Sequence, residues 1–200
     1  MTQAVEISTR GGVLLRGELQ EGGPAWVVLV HDMGQDLDFW HPLRLSGDGL
    51  SVLAVDLRGH GGSEGNADVA STASDLVDVL AFARERGAEI TIVGAAGGSV
   101  NAALEAAAET WAAGLAAICP LGEEVKGASM PKLVVVAEDE RRQVAAGRAL
   151  QRSPGSAIVV NLPASGGSAE VVSGAWRTNV ESYVRAFVRD VTRSSRPVAP

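Results

Sequence analysis

Eight short apolar runs bounded by turn residues recur along this chain: AVEIST, VLLRGEL, AWVVLVH, SVLAVD, ITIVG, LAAIC, KLVVVAE and AIVVNL. The later ones alternate with stretches of helical periodicity. Strands that are apolar on both faces must be covered on both faces, so the pattern predicts a largely parallel sheet of about eight strands with helices on either side. The first two runs alternate polar with apolar residues and are separated by Gly11-Gly12, which predicts an antiparallel hairpin at one edge. Apolar residues recur at Leu76, Val79, Leu80 and Ala83; with Thr72 as N-cap and Gly87 as the stop, residues 75–86 read as an amphipathic helix. A second helix places Val180, Tyr183, Val184, Phe187 and Val191 on one face and Arg177, Glu181, Arg185 and Arg189 elsewhere. No repeat or linker divides the chain, so residues 1–193 are expected to form one domain and the tail SSRPVAP, residues 194–200, to fray.

Composition narrows the partners. At 200 residues, 46% hydrophobic but only 4% aromatic, the core must be mostly aliphatic. A net charge of -7, with Lys126 and Lys132 the only lysines, offers no global attraction to nucleic acid or anionic membrane. The N-terminus has no basic segment followed by a long apolar one, and no run approaches the ~20 apolar residues of a membrane span. A soluble cytoplasmic protein is the expectation. Cys119 is the single cysteine; at the end of an apolar strand it reads as a buried, inert thiol.

Three segments at strand ends concentrate chemistry-bearing residues, and carboxyl ends of parallel strands are where such sheets bind ligands. VVLVHDMGQD ends a strand at His31 and opens into a loop with Met33 and Gly34. LAVDLRGHGGSEG places Asp56, Arg58, Gly59, His60, Gly61 and Ser63 in one loop, where Asp56 and Arg58 are positioned to tie it together. ITIVGAAGGSV runs a strand through Gly94, Gly97 and Gly98 into a helix start, the geometry of a nucleophile elbow with Ala96 at its centre.

In this order the three segments resemble the α/β-hydrolase superfamily, particularly its small esterase, lipase and epoxide-hydrolase-like members. The family's His-Gly-x-Gly-like oxyanion loop is matched by His31, Asp32, Met33 and Gly34, with Asp32 departing from the usual glycine. Asp-x-Arg-Gly-His-Gly-x-Ser is matched in full by Asp56 through Ser63, and Gly-x-Ser-x-Gly at Gly94 and Gly98 but with Ala96 in the serine position. The resemblance covers about residues 4–193 and implies the α/β-hydrolase fold. The family commonly carries a cap between the sixth strand and the next helix; here only PLGEEVKGASMP follows LAAIC before the next strand, so no cap is expected.

A hydrolase of this type needs a nucleophile, an imidazole to take its proton and a carboxylate to orient the imidazole. By the resemblance, Ala96 stands for the serine, Glu140 for the carboxylate and Gly166-Gly167 where the histidine belongs; no histidine follows His60 in the sequence. The resemblance assigns His31 and His60 to shaping loops, alongside Asp56, Arg58 and Ser63. Ser99 lies one helical turn past Ala96, away from the apex, and His41 reads as a helix-surface residue. The backbone N–H groups of Met33 and Gly97, helped by the helix starting near Gly98, could form an anion-binding concavity, with His31, Met33, Gly34, Gly97 and Gly98 as its candidate residues. The same glycines are also what a sharp strand-to-helix turn needs without any ligand. Trp40 and Met33 are candidates for an apolar rim, and either could equally be core.

No dinucleotide fingerprint, P-loop or metal-ligand cluster is present, so no cofactor and no metal are expected. The functional expectation is a catalytically silent pseudohydrolase that binds a small ligand, or a protein partner on the uncapped face, with self-association open. The alternative is an ester or thioester hydrolase that has been inactivated by substitution or that uses groups outside the triad.

Overall fold

A computed structural model describes residues 1–47, 49–122 and 129–195. All eight predicted runs form strands: β1 (Thr2–Ser8), β2 (Leu14–Gln20), β3 (Ala25–Val30), β4 (Leu50–Val55), β5 (Ile90–Ala96), β6 (Gly114–Ile118), β7 (Lys132–Ala137) and β8 (Ala157–Leu162). They join one sheet in the order β1-β2-β4-β3-β5-β6-β7-β8. β1 pairs antiparallel with β2 and β2 with β4, while the remaining neighbours are parallel. The interior strands β3 and β7 are buried along their whole length, as their nearly continuous apolar sequences require.

Side chains alternate across the sheet, so Val28 and Val30 of β3 join one apolar cluster and Val27 and Leu29 the other. The first face is covered by α1 (Val69–Glu85) and α2 (Val100–Glu109), and Leu150 of α3 (Arg141–Arg152) reaches the same cluster. The second is covered by α4 (Ser168–Ser173), α5 (Arg177–Ser195) and a short 3-10 turn, Leu37–Trp40. Leu76, Val79, Leu80 and Ala83 of α1 are buried together, as are Val180, Val184, Phe187, Val188 and Val191 of α5. Burying each of the larger of these aliphatic or aromatic groups contributes roughly 1.5–3 kcal/mol, which explains why these two helices were readable from periodicity.

Three expectations are corrected. α1 starts at Val69 and not near Asp75: Asp68 is the N-cap, its carboxylate accepting the Ala70 N–H at 3.0 Å, and the Thr72 hydroxyl donates to the Asp68 carbonyl inside the first turn. α5 continues through Ser194 and Ser195, so the predicted frayed tail begins too early; its residues 196–200 lie outside the described residues. Trp40 is no rim residue, being only 2% exposed and edge-on against Phe39.

After β3 the chain adds β4 on one side and β5 on the other, so strand order reverses beside β3. Loops leaving the carboxyl ends of β3 and β5 therefore diverge and leave a crevice between them, which places the candidate site.

Candidate functional site

The loop after β4 is held by its own polar groups. Asp56 Oδ1 accepts the Leu37 N–H at 2.7 Å and Oδ2 the Gly62 N–H at 2.8 Å. The Ser63 hydroxyl donates to the Asp56 carbonyl at 2.7 Å and accepts the Arg16 N–H at 2.8 Å, fastening the loop to β2. Gly61 has φ +49 and a Cβ there would fall on the Asp56 carboxylate, so only glycine fits. Asp56 and Arg58 both tie the loop, as expected, but to different partners. Arg58 reaches α1 and forms a two-pronged ion pair with Asp75, whose side chain is 2% exposed. That hydrogen-bonded pairing raises the Arg58 pKa from its ordinary value.

His31 and His60 sit with ring centroids 5.2 Å apart, and both hold backbone. His31 Nε2 accepts the Leu57 N–H at 2.9 Å while its Nδ1 lies 2.8 Å from the Asp32 carbonyl, which assigns the proton to Nδ1. Burial pushes its pKa below the ordinary value; the Asp32 carbonyl opposes this and His60 adds to it. His60 Nδ1 lies 2.9 Å from the Arg58 carbonyl and Nε2 accepts the Gly34 N–H at 3.2 Å, so the Gly34 donor is also engaged. His41 follows the 3-10 turn, exposed, within 3.0 Å of Glu18 and 3.3 Å of Asp38.

The strand-to-helix turn is displaced by one residue from the sequence expectation. Ala96 is the last residue of β5, extended at φ -125 and ψ 149, and its side chain is buried in the second cluster. The reversal falls on Gly97, at φ +53, and a 3-10 turn, Gly97–Ser99, leads into α2. A nucleophile carried by this turn would therefore project from residue 97 and not 96. Ser99 lies inside the turn, its hydroxyl donating to the Ala96 carbonyl at 2.8 Å.

What fills the space above Gly97 is Asp32. A Cβ built on Gly97 would lie only 2.0 Å from the Asp32 carboxylate. Its Oδ1 accepts the N–H groups of Met33 and of Gly98, each at 2.8 Å, and Oδ2 accepts the Ser168 hydroxyl at 2.6 Å. With the apex at Gly97, the residue after it is Gly98, so Met33 and Gly98 are the pair of donors that an oxyanion hole would use. The anion-binding concavity expected from Met33 and Gly97 thus has Gly98 as its second donor, and an internal carboxylate occupies it. Asp32 and Ser168 are absent from the sequence-derived site. The departure of Asp32 from the usual glycine was the available signal.

Glu140 and Gly166-Gly167, the segments the resemblance sets against the rest of the triad, lie close together. Glu140 precedes α3, and its Oε1 accepts the Gly166 N–H at 3.0 Å in the loop after β8. Gln143 spans the same gap, accepting the Ala137 N–H and donating to the Gly166 carbonyl, each at 2.9 Å. Gly167 is the residue before α4, and Ser168, the first residue of that helix, faces Asp32. Cys119, at the end of β6 with φ +49, is buried, and desolvation pushes its thiol up to about 12. Among the described residues, no group of three or more His, Cys, Asp and Glu side chains is placed to hold a metal ion, and no helix is long and apolar enough to cross a membrane.

A mostly parallel sheet that reverses order beside β3, with a tight turn after β5 and hydrogen-bonded loops around it, defines a doubly wound α/β protein whose candidate site lies at the carboxyl ends of its strands. The chain belongs to the α/β hydrolase family, whose model matches residues 27–199. Solved structures share the fold. An esterase of Pyrococcus furiosus superposes with a TM-score of 0.77 at 14% identity, covering 95% of this chain and 90% of that one. The Butyrivibrio proteoclasticus esterase Est1E, with ferulic acid bound, gives 0.79 at 12% identity over 94% and 99%. A lidless α/β serine hydrolase of Xanthomonas campestris gives 0.76 at 16% identity over 100% and 97%. In this chain residues 119–131 are all that connect β6 to β7, and among the described residues there is no cap domain. In sequence, the chain is 32% identical over 122 residues to the dihydrolipoyllysine-residue acetyltransferase component of the acetoin cleaving system of Cupriavidus necator, and the match spans 60% of this chain but only 33% of that protein.

Proposed function

We propose that this chain is a catalytically silent α/β-hydrolase-fold protein that acts by binding, with the former catalytic turn kept as internally satisfied structure. The observation that carries the reading is the Asp32 carboxylate, which takes both oxyanion-type donors and lies where a side chain on Gly97 would project. Acyl transfer needs a nucleophile with a base in reach and donors aimed at the developing oxyanion. Here the apex is a glycine, the donors already hold an anion, and no histidine follows His60 in the sequence. A small anion binding at the turn would have to displace Asp32 from three hydrogen bonds. That disfavours the turn as the ligand site and favours a protein partner on the uncapped face, a second copy of the chain, or a ligand held elsewhere on the molecule. A cytoplasmic setting fits the single reduced thiol.

The test is a panel of p-nitrophenyl esters and acyl thioesters, run beside native mass spectrometry of the protein purified gently from its own cells. Hydrolysis at the buffer rate, together with a bound small molecule or a stoichiometric protein partner, supports the proposal. Turnover that disappears on Asp32→Ala or Ser168→Ala overturns it and restores the reading of a hydrolase using groups outside the triad.

A further inference from the structure

β8 ends the sheet: β7 pairs with one side of it, and among the described residues no strand pairs with the other. The carbonyls of Ser156 and Leu162 accept the Lys132 and Glu138 N–H groups, so even-numbered residues here turn their backbone groups toward β7. By alternation the N–H and C=O groups of Ala157, Val159 and Asn161 point to the open edge. Sheets guard such edges with charges, proline, bulges or a covering segment. The opposite edge is guarded, since β1 carries Glu6, exposed and paired with Arg16 of β2. β8, AIVVNL, has no charge and no proline, and its unbroken register with β7 leaves no bulge to turn it away. Ile158 is 58% exposed and Ala157, Val159 and Val160 are only half-buried, whereas every residue of β7 is buried.

We propose that the open edge of β8 docks a second copy of this chain, the two β8 strands running antiparallel across a two-fold axis at Val159 so that both sheets become one. An uncharged strand selects no oppositely charged partner, and this one complements itself. In that register Val159 meets its own counterpart, Ala157 meets the partner's Asn161, and these are the residues whose N–H and C=O groups point outward, so they exchange the hydrogen bonds of an antiparallel ladder. On the second face of the sheet Ile158 lies opposite the partner's Val160, an apolar cross-strand pair that covers the most exposed side chain of the strand. The edge is separated from the β5 turn by β6 and β7 and does not depend on whether that turn is silent, so hydrolytic activity would leave the proposal untouched.

The experiment is sedimentation velocity of the full chain from low micromolar to near-millimolar concentration, where a monomer–dimer equilibrium is expected. Ile158→Lys sets two ammonium groups diagonally across the axis and should weaken the dimer about ten-fold or more, while its exposed position spares the fold. Val159→Cys places two thiols on the axis, where the Cα atoms of a hydrogen-bonded pair lie about 5.5 Å apart, within disulfide reach. Mild oxidation should link that variant into a covalent dimer. Ala157→Cys should stay unlinked, because Ala157 faces the partner's Asn161 and not its own counterpart, and Cys119 is buried away from the reaction. A monomer at every concentration overturns the proposal and leaves the edge to a strand of another protein. A dimer that Ile158→Lys leaves intact, or one that links through position 157 as readily as through 159, overturns it as well.

Discussion

At residue 97 the absence of a side chain is a packing requirement. Gly97 is left-handed and lies against the Asp32 carboxylate, so the two positions must change together. Gly97→Ser alone is expected to destabilise by about 3 kcal/mol or more, through steric overlap and a strained φ. Asp32→Gly gives up three hydrogen bonds to a partly exposed carboxylate and should lower stability by about 2 kcal/mol. The double variant should be clearly more stable than the sum of the two losses, read by urea denaturation; simple additivity would mean that the carboxylate is not held over Gly97. Ala96→Ser, the repair that the motif alone suggests, would put its hydroxyl into the second apolar cluster. His31 makes a pH prediction. Its folded pKa lies below the ordinary value because of burial, with Asp56 and Asp36 acting in opposition, so just below pH 6.5 the unfolded chain binds more protons than the folded one. Stability from His31 is therefore present above that pH and is lost as the pH falls. In unfolding titrations at pH 7.5, 6.5 and 5.5, the advantage of the parent over His31→Gln should shrink with acidification; a constant gap would show that the imidazole protonates freely in the folded state.

At the scale of elements, the loop after β4 is anchored to α1 by one buried ion pair. Arg58→Ala would strand the Asp75 carboxylate, 2% exposed, without its counter-charge. A loss of about 3 kcal/mol is expected, most of it recovered when Asp75→Leu is added, since apolar replacement of both partners removes the desolvation penalty. If the single variant loses less than 1 kcal/mol, the pair is a surface contact and the loop is held by the hydrogen bonds of Asp56, Ser63 and the two histidines. Legibility also divides at this scale. α1 and α5 are legible through apolar stripes, but the first turn of α1, with Val69 and Ala70 facing solvent, carries no stripe and is set by the Asp68 cap. α3 is not legible in the sequence because RRQVAAGRALQR has few large apolar residues; it sits close to β7 through Gly147, where a Cβ would already lie 3.0 Å from Val136.

Over the whole molecule, one sheet is shared by both apolar clusters, so neither can be lost without exposing the other face of the same strands. A single cooperative transition is expected. Trp26 lies in the first cluster and Trp40 in the second, so variants retaining only one or the other tryptophan should give the same urea midpoint as far-UV circular dichroism. Separate midpoints would show that the two faces melt independently. The strands and the edge hairpin could be read in advance because each follows from a local rule: aliphatic runs demand two covered faces, and a polar-apolar alternation around paired glycines demands a hairpin. The family's loops could be read for the same reason, as contiguous residues at strand ends. Which small residue bears the turn could not, because Gly94 through Ser99 are all small and the registers centred on 96 and on 97 satisfy the same steric demand. Nor could the partners of Arg58 and Asp32, which lie 17 residues away at Asp75 and 136 away at Ser168. Pairings over such distances are chosen by how strands and helices stack, and no local pattern encodes them.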